Sequence, residues 1–486
     1  MPRRLLACAL LLTACPDSSD DTGDGTTTLA TTAPATSLAS TSDPSTISTI
    51  STTDTPTTDA PTTDSSTSDP STSSTTDDPT ASTDTGDPVM PTVLLPRASI
   101  EASELAILAN DQDPQSMAVA AYYATARQIP PENIITLSFA PAGSIPAATF
   151  AQLKAHTDAA LPANIQALAI AWTTPYLVDC QSLVSSFALG HDPAKYCSQP
   201  CSETAPSGYY DSPSFQPFTD HGLRPAMHLA GVSAEDVQAL VDRGVSADAT
   251  FPTGVGYFIR TTDVDRSVRW PDQLATQGVW DHPGGLDLEY LDNSMGGGLD
   301  YIENRTDVLF YLTGLASVPQ FATNTYLPGA VADHLTSYGG QIPDSGQMSV
   351  VRWLEAGATA SYGTGVEPCN YPTKFPVASV LLPHYYRGET VIEAYWKSVA
   401  WPGEGVFVGE PLARPWGVAG VEWQASTLTI RTTQLVPLKP YRVESAPAAD
   451  GPWTLVQDNI TIPDHQLAQV VIPDATAPFY RLIPVP

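Results

Sequence analysis

Residues 326–376 concentrate side chains that do chemistry. Asp333, His334, Thr336, Ser337, Glu367, Cys369, Asn370 and Lys374 all fall there, among many glycines. Glycine lets backbone turn tightly or come close to a ligand. One fitting chemistry is nucleophilic. A thiol such as Cys369 needs a neighbouring base or cation to lower its pKa. His334 could be that base, towards Cys369 or Ser337, with Asp333 or Glu367 orienting the ring. A metal site draws on the same residue types. The plainer reading has His334 bonded to backbone, Asp333 capping a turn and Cys369 in a disulfide. Ser337, Gly363 and Asn370, in or beside Gly-rich turns, could instead bind a ligand through backbone and side-chain donors. Asp263 and Asp265 form a second polar cluster. They could hold a divalent cation or position a base, or pair with Arg266 and Arg269 in a loop network. The sequence names no cofactor.

The elements that must position these groups read as α/β. The apolar runs at 104–109, 134–139 and 165–172 suit buried strands. Between the first two lies a helix ending at Arg127, with Asp113 or Ser116 as its cap. This β-α-β opening predicts a mostly parallel sheet flanked by helices. Further strands are expected at 256–260, 307–312, 329–332, 358–362 and 406–408. Helices are expected from the capping-box-like Ser233 to Arg243, and at 348–356, 377–386 and 390–398. Carboxyl ends of parallel strands are where ligands bind. Asp263 and Asp265 follow one such strand. From about residue 421, apolar and polar residues alternate at period two between Pro, Gly and Asp, as in a small antiparallel β-sandwich.

Residues 173–231 read as a loop-rich insert carrying Cys180, Cys197 and Cys201, with His191, His221 and His228. With Cys369 these make four cysteines past residue 15. An exported chain favours two disulfides, Cys197–Cys201 with Cys180–Cys369 being one pairing. One disulfide with two free thiols, or a zinc site from Cys197, Cys201 and nearby histidines, are the alternatives.

The chain has 486 residues and a net charge of −31. Nucleic-acid binding wants the opposite sign. Thirteen of the acidic residues, all Asp, fall in residues 16–88 with no Lys or Arg. That tract is nearly all Thr, Ser, Asp, Pro and Ala, and has little apolar surface to offset ordering entropy. Before it, Arg3 and Arg4 precede the apolar run 5–12, as in a secretory signal. The sequence Leu12-Thr13-Ala14-Cys15 resembles a bacterial lipobox, which implies acylation of Cys15. Residues 1–14 are thus expected to be a signal peptide and 15–92 a disordered tether. Residues 93–420 form the α/β domain and 421–486 the sandwich. This predicts a lipid-anchored envelope protein, on the outer membrane rather than the inner, with a protein or peptide partner and no nucleic acid.

Several blocks carry a resemblance. Asn110-Asp-Gln-Asp-Pro-Gln-Ser116, Gly329–Gly340, Trp353–Cys369 and Gly409-Glu-Pro-Leu-Ala-Arg-Pro415 resemble successive blocks of an uncharacterised bacterial exported family. That family implies domain limits and no activity. A looser similarity is to gingipain- and caspase-like cysteine peptidases. In these a His-Gly follows one strand and the nucleophilic Cys the next. Here Thr313-Gly314 has no His and Val331–His334 has no Cys. The resemblance therefore implies the scaffold without its dyad. A binding or scaffolding role follows, with a cysteine-type hydrolase acting through His334 and Cys369 as the alternative.

Overall fold

The computed structural model describes residues 90–197 and 201–485. The expected signal, Cys15 and nearly all of the tether lie outside the described residues.

Ten strands make the central sheet. In chain order they are β1 (Leu105–Asn110), β2 (Ile134–Leu137), β3 (Ala167–Ile170), β4 (Ala226–His228) and β5 (Val255–Arg260), followed by β6 (Asp287–Asp292), β7 (Val308–Thr313), β8 (Tyr326–His334), β9 (Ala360–Thr364) and β10 (Gly405–Gly409). Their spatial order is β6-β5-β7-β8-β9-β10-β4-β3-β1-β2. Every neighbouring pair is parallel except β9 and β10. The sheet therefore consists of two parallel halves of opposite direction, joined at that antiparallel seam. One half presents the carboxyl ends of β5 to β9 at one edge. The other presents those of β1, β3 and β4 at the opposite edge.

The central strands are apolar on both faces because helices cover both. β1 and β7 are buried at every position. The helices of six residues or more are α1 (Pro114–Arg127), α2 (Ala147–Ala160), α3 (Leu183–Leu189), α4 (Ala234–Ala247), α5 (Trp270–Trp280), α6 (Val351–Ala356), α7 (Ala378–Tyr386) and α8 (Val391–Ser398). Of the two candidate caps of α1, Asp113 is the one used. Its carboxylate accepts from the Gln115 N–H, and Pro114 opens the first turn. The Ser116 hydroxyl instead accepts from the Asn110 N–H at 2.8 Å, tying strand to helix. Ser233 and Asp236 close a capping box on α4, whose Val237, Leu240 and Val241 face the core.

Several elements have no expectation behind them, α5, β6 and α3 among them. α5 begins with Trp-Pro-Asp and lacks a clean apolar stripe. β6 is the half-exposed edge strand Asp-Leu-Glu-Tyr-Leu-Asp, whose acidic residues hide any apolar run. The stretch expected as a loop-rich insert also supplies a core strand, the fully buried β4.

The carboxyl-terminal strands form two sheets. One contains Val418–Gln424, Thr427–Thr432 and Ala468–Ile472. The other contains Phe479–Pro484, Tyr441–Ala446 and Thr454–Ile460. Leu428, Ile430, Val443, Val470 and Leu482 form the core they share. The short strand Thr92–Leu94 joins the second sheet, parallel to Phe479–Arg481. No helix among the described residues is long and apolar enough to cross a membrane.

Candidate functional site

The loops after β5, β8 and β9 meet at one edge and enclose a pocket of about 200 Å³. Its walls are Asp265 and Arg266, then Leu335, Thr336 and Ser337, then Glu367, Pro368, Cys369 and Asn370. The residues singled out from sequence at 265, 337, 367, 369 and 370 thus converge. What brings them together is the parallel register of β5, β7, β8 and β9, which ends all four strands at the same level.

Arg266 organises the first wall. Its guanidinium pairs with Asp263 at 2.8 Å and donates to the Thr336 hydroxyl at 3.1 Å. Asp263 also accepts from the Arg266 N–H. The expected loop network is therefore real for Asp263 and Arg266. Asp265 is exposed and free to face the pocket. Gly314 makes the close approach feasible, since a Cβ there would lie 1.9 Å from the Arg266 carbonyl oxygen. The Gln347 side chain, which sequence reasoning missed, accepts from both the Thr336 hydroxyl and the Tyr338 N–H. Nothing in its sequence context marks it. Gly363, expected at a ligand, is instead a packing glycine. A Cβ on it would lie 2.6 Å from the Gly340 nitrogen.

His334 is fully buried at the end of β8. Its Nε2 donates to the Met348 carbonyl at 3.0 Å, and its Nδ1 accepts from the Trp353 indole at 2.9 Å. Both ring nitrogens are occupied, in a neutral tautomer. Burial pushes its pKa down to about 4, with Arg269 and Arg266 adding to the effect. This is the plainer of the two readings, with the imidazole bonded to backbone. It is a poor base for any neighbour.

Asp333 precedes His334 on the strand and so projects to the other face of the sheet. It cannot orient the imidazole, nor does it cap a turn. It is fully buried and pairs with Arg269 at 2.6 Å. Burial raises its pKa and Arg269 opposes that rise. Arg269, expected beside Asp263 and Asp265, is drawn away by this carboxylate and by the Thr313 and Pro376 carbonyls.

The cysteines correct the expected pairing. Cys180 is bonded to Cys197 and Cys201 to Cys369. The helical turn Pro193–Tyr196 returns the chain so that the Cα of Cys197 lies 5.9 Å from that of Cys180. Cys201, four residues on, reaches the rim loop of the pocket. The thiol expected at Cys369 is therefore half of a disulfide, with its N–H held by the Glu367 carboxylate at 2.9 Å. Glu367 is engaged there and not with His334.

The zinc alternative loses its thiolates in the same way. Its histidines are scattered. His191 lies against Asp179, His221 against Ser212, and His228 against the Trp172 carbonyl. Among the described residues no group of three His, Cys, Asp or Glu is placed to hold a metal. Lys374 is buried and pairs with Glu404 at 2.9 Å, anchoring the chain beyond the rim.

A larger cleft of about 410 Å³ lies elsewhere, between Phe251, Leu286, Tyr386, Trp416 and Leu467. It contains none of the residues singled out from sequence. Two of its aromatic residues, Tyr386 and Trp416, pack against each other and are buried.

No protein-family model matches the chain, and no curated protein matches it. Two solved structures are similar at low identity. One, described as "Structure of Protease", aligns with 79% of this chain and 97% of its own, at 11% identity and a TM-score of 0.39. The other is the crystal structure of the Arg specific cysteine proteinase gingipain R (RGPB). It aligns with 80% of this chain and 99% of its own, at 10% identity and a TM-score of 0.37.

Proposed function

We propose that this chain is a binding or scaffolding protein of the bacterial cell envelope, most simply of the outer membrane. Acyl chains on Cys15 hold it to the membrane, and residues 16–88 act as the tether. Its ligand, a protein or peptide segment, enters the pocket formed by residues 265–266, 335–337 and 367–370. One observation supports this reading above the others. The two groups that would make the site a cysteine hydrolase are both engaged, Cys369 with Cys201 and His334 with Met348 and Trp353. What remains in the walls is a set of binding groups: a guanidinium, two carboxylates, two hydroxyls and an amide. Such groups orient a ligand by hydrogen bonds and charge.

The test is a comparison of binding with turnover. A library of unstructured peptides is passed over the immobilised full chain and recovered by mass. Peptides retained by the wild type, lost with Arg266→Gln and recovered uncut support binding. Cleaved peptides whose production stops with Cys369→Ala would replace this reading with a cysteine hydrolase. The anchor is tested separately. Labelled fatty acid should be incorporated by the wild-type chain and not by Cys15→Ala.

A further inference from the structure

The two disulfides occupy different settings. Cys180–Cys197 joins two half-buried residues 17 positions apart and closes a local loop. Cys201–Cys369 joins residues 168 positions apart and crosses from the insert to the rim of the pocket. Cys201 is exposed and Cys369 is half-buried, so a solute can reach the bond from the Cys201 side. Cys369 is itself part of the pocket wall, as is Arg266. Its backbone sits at φ 57°, in the left-handed region that a residue with a Cβ enters at a cost. The disulfide helps to hold it there.

The chain on either side of this rim is fixed by other contacts. The Gly365 N–H donates to the Glu404 carbonyl at 3.1 Å. Further on, Lys374 pairs with the Glu404 carboxylate inside the protein. Tyr371, packed on Trp401, fixes the far end, so the stretch that the bond tethers is residues 366–370, between β9 and Tyr371.

We propose that Cys201–Cys369 is a thiol-exchange site, opened by a dithiol reductant in the folded protein while Cys180–Cys197 stays closed, and that its opening loosens the wall of the pocket. That the pocket is the ligand site rests on the preceding reading. A thiolate of the dithiol attacks Sγ of Cys201. The Sγ–Sγ bond breaks and Cys369 leaves as a thiolate, on a wall shared with the Arg266 guanidinium. The Arg266 charge in that wall is paired with Asp263 and outnumbered by Asp265 and Glu367, so access to Cys201, and not a stabilised leaving thiolate, sets the selectivity. The second thiol of the dithiol then displaces Cys201. The dithiol is oxidised to its internal disulfide, the two electrons pass to the cysteines, and the two protons it gave up end on Cys201 and Cys369.

The experiment exposes the folded full chain to graded dithiothreitol, traps thiols by alkylation and maps them by peptide mass. The expected result is paired labelling of Cys201 and Cys369. It should run at least tenfold faster than labelling of Cys180 and Cys197, with an unchanged near-ultraviolet circular dichroism spectrum. Labelling of all four cysteines in step, or only as that spectrum collapses, would overturn the proposal. No ligand is present in this assay. Its failure therefore leaves the binding reading standing, and a failure to bind peptides leaves the exchange result standing.

Discussion

Replacing His334 with Gln tests the most specific electrostatic feature of the site. The imidazole sits fully buried between the Met348 carbonyl and the Trp353 indole, with its pKa pushed from 6.5 down to about 4. The unfolded chain binds a proton near 6.5, whereas the folded chain resists it until about 4. This contribution to stability is fully present above 6.5 and is lost as pH falls from there to about 4. A drop of that size corresponds to roughly 3 kcal/mol.

Glutamine can donate to Met348 and accept from Trp353, but it does not titrate. Imperfect reach should cost about 1–2 kcal/mol at pH 7.5. Urea unfolding of both proteins at several pH values measures the outcome. Carboxylates titrate in the same window, so the readout is the difference between the two proteins. The wild type should lead at pH 7.5, and its lead should shrink by roughly 3 kcal/mol by pH 4, reversing in sign. A lead that stays constant with pH would refute the reasoning. It would mean that His334 takes up protons as readily in the folded chain as in the unfolded one, as an accessible base would.

Four other outcomes follow from the same geometry. Arg269→Met strands the Asp333 carboxylate inside the protein and should cost about 3–5 kcal/mol in thermal or urea unfolding, while Arg269→Met with Asp333→Leu should recover much of it. Gly314→Ala drives a methyl into the backbone of Arg266, which has to shift; it should lower the melting temperature and weaken peptide retention together, read by melting and binding side by side. Replacing both Cys180 and Cys197 with Ser opens a loop of 17 residues and should cost about 3 kcal/mol in unfolding free energy. Deleting residues 90–95 uncovers the Phe479–Pro484 strand, and faster hydrogen exchange along that strand should follow.

Much of the scaffold was legible because its signals are local. β1 and β7 are continuous apolar runs, and Asp113-Pro114 and Ser233 mark helix starts by capping chemistry. What was not legible depends on contacts between distant segments. The alternating edge strand β6 hides its apolar residues among Asp and Glu. β4 is three residues inside a stretch broken by seven prolines. The strand at Thr92–Leu94 takes its role from a partner almost 390 positions later. At the site, strand ends brought the loops after β5, β8 and β9 together, but side-chain direction decided which groups meet there. Asp333 and His334 are neighbours in sequence and point to opposite faces of the sheet, so one meets Arg269 and the other meets Trp353. Cysteine pairing was equally out of reach, since a short spacing such as Cys197 to Cys201 says nothing about where the chain turns between them.

Peptide mapping of the unreduced protein after rapid alkylation tests the central claim most directly. The account predicts a linked peptide pair containing Cys201 and Cys369, with Cys369 unlabelled. A free Cys369 that alkylates quickly, and slowly once His334 is replaced with Ala, would contradict it and make the pocket the site of a thiol nucleophile.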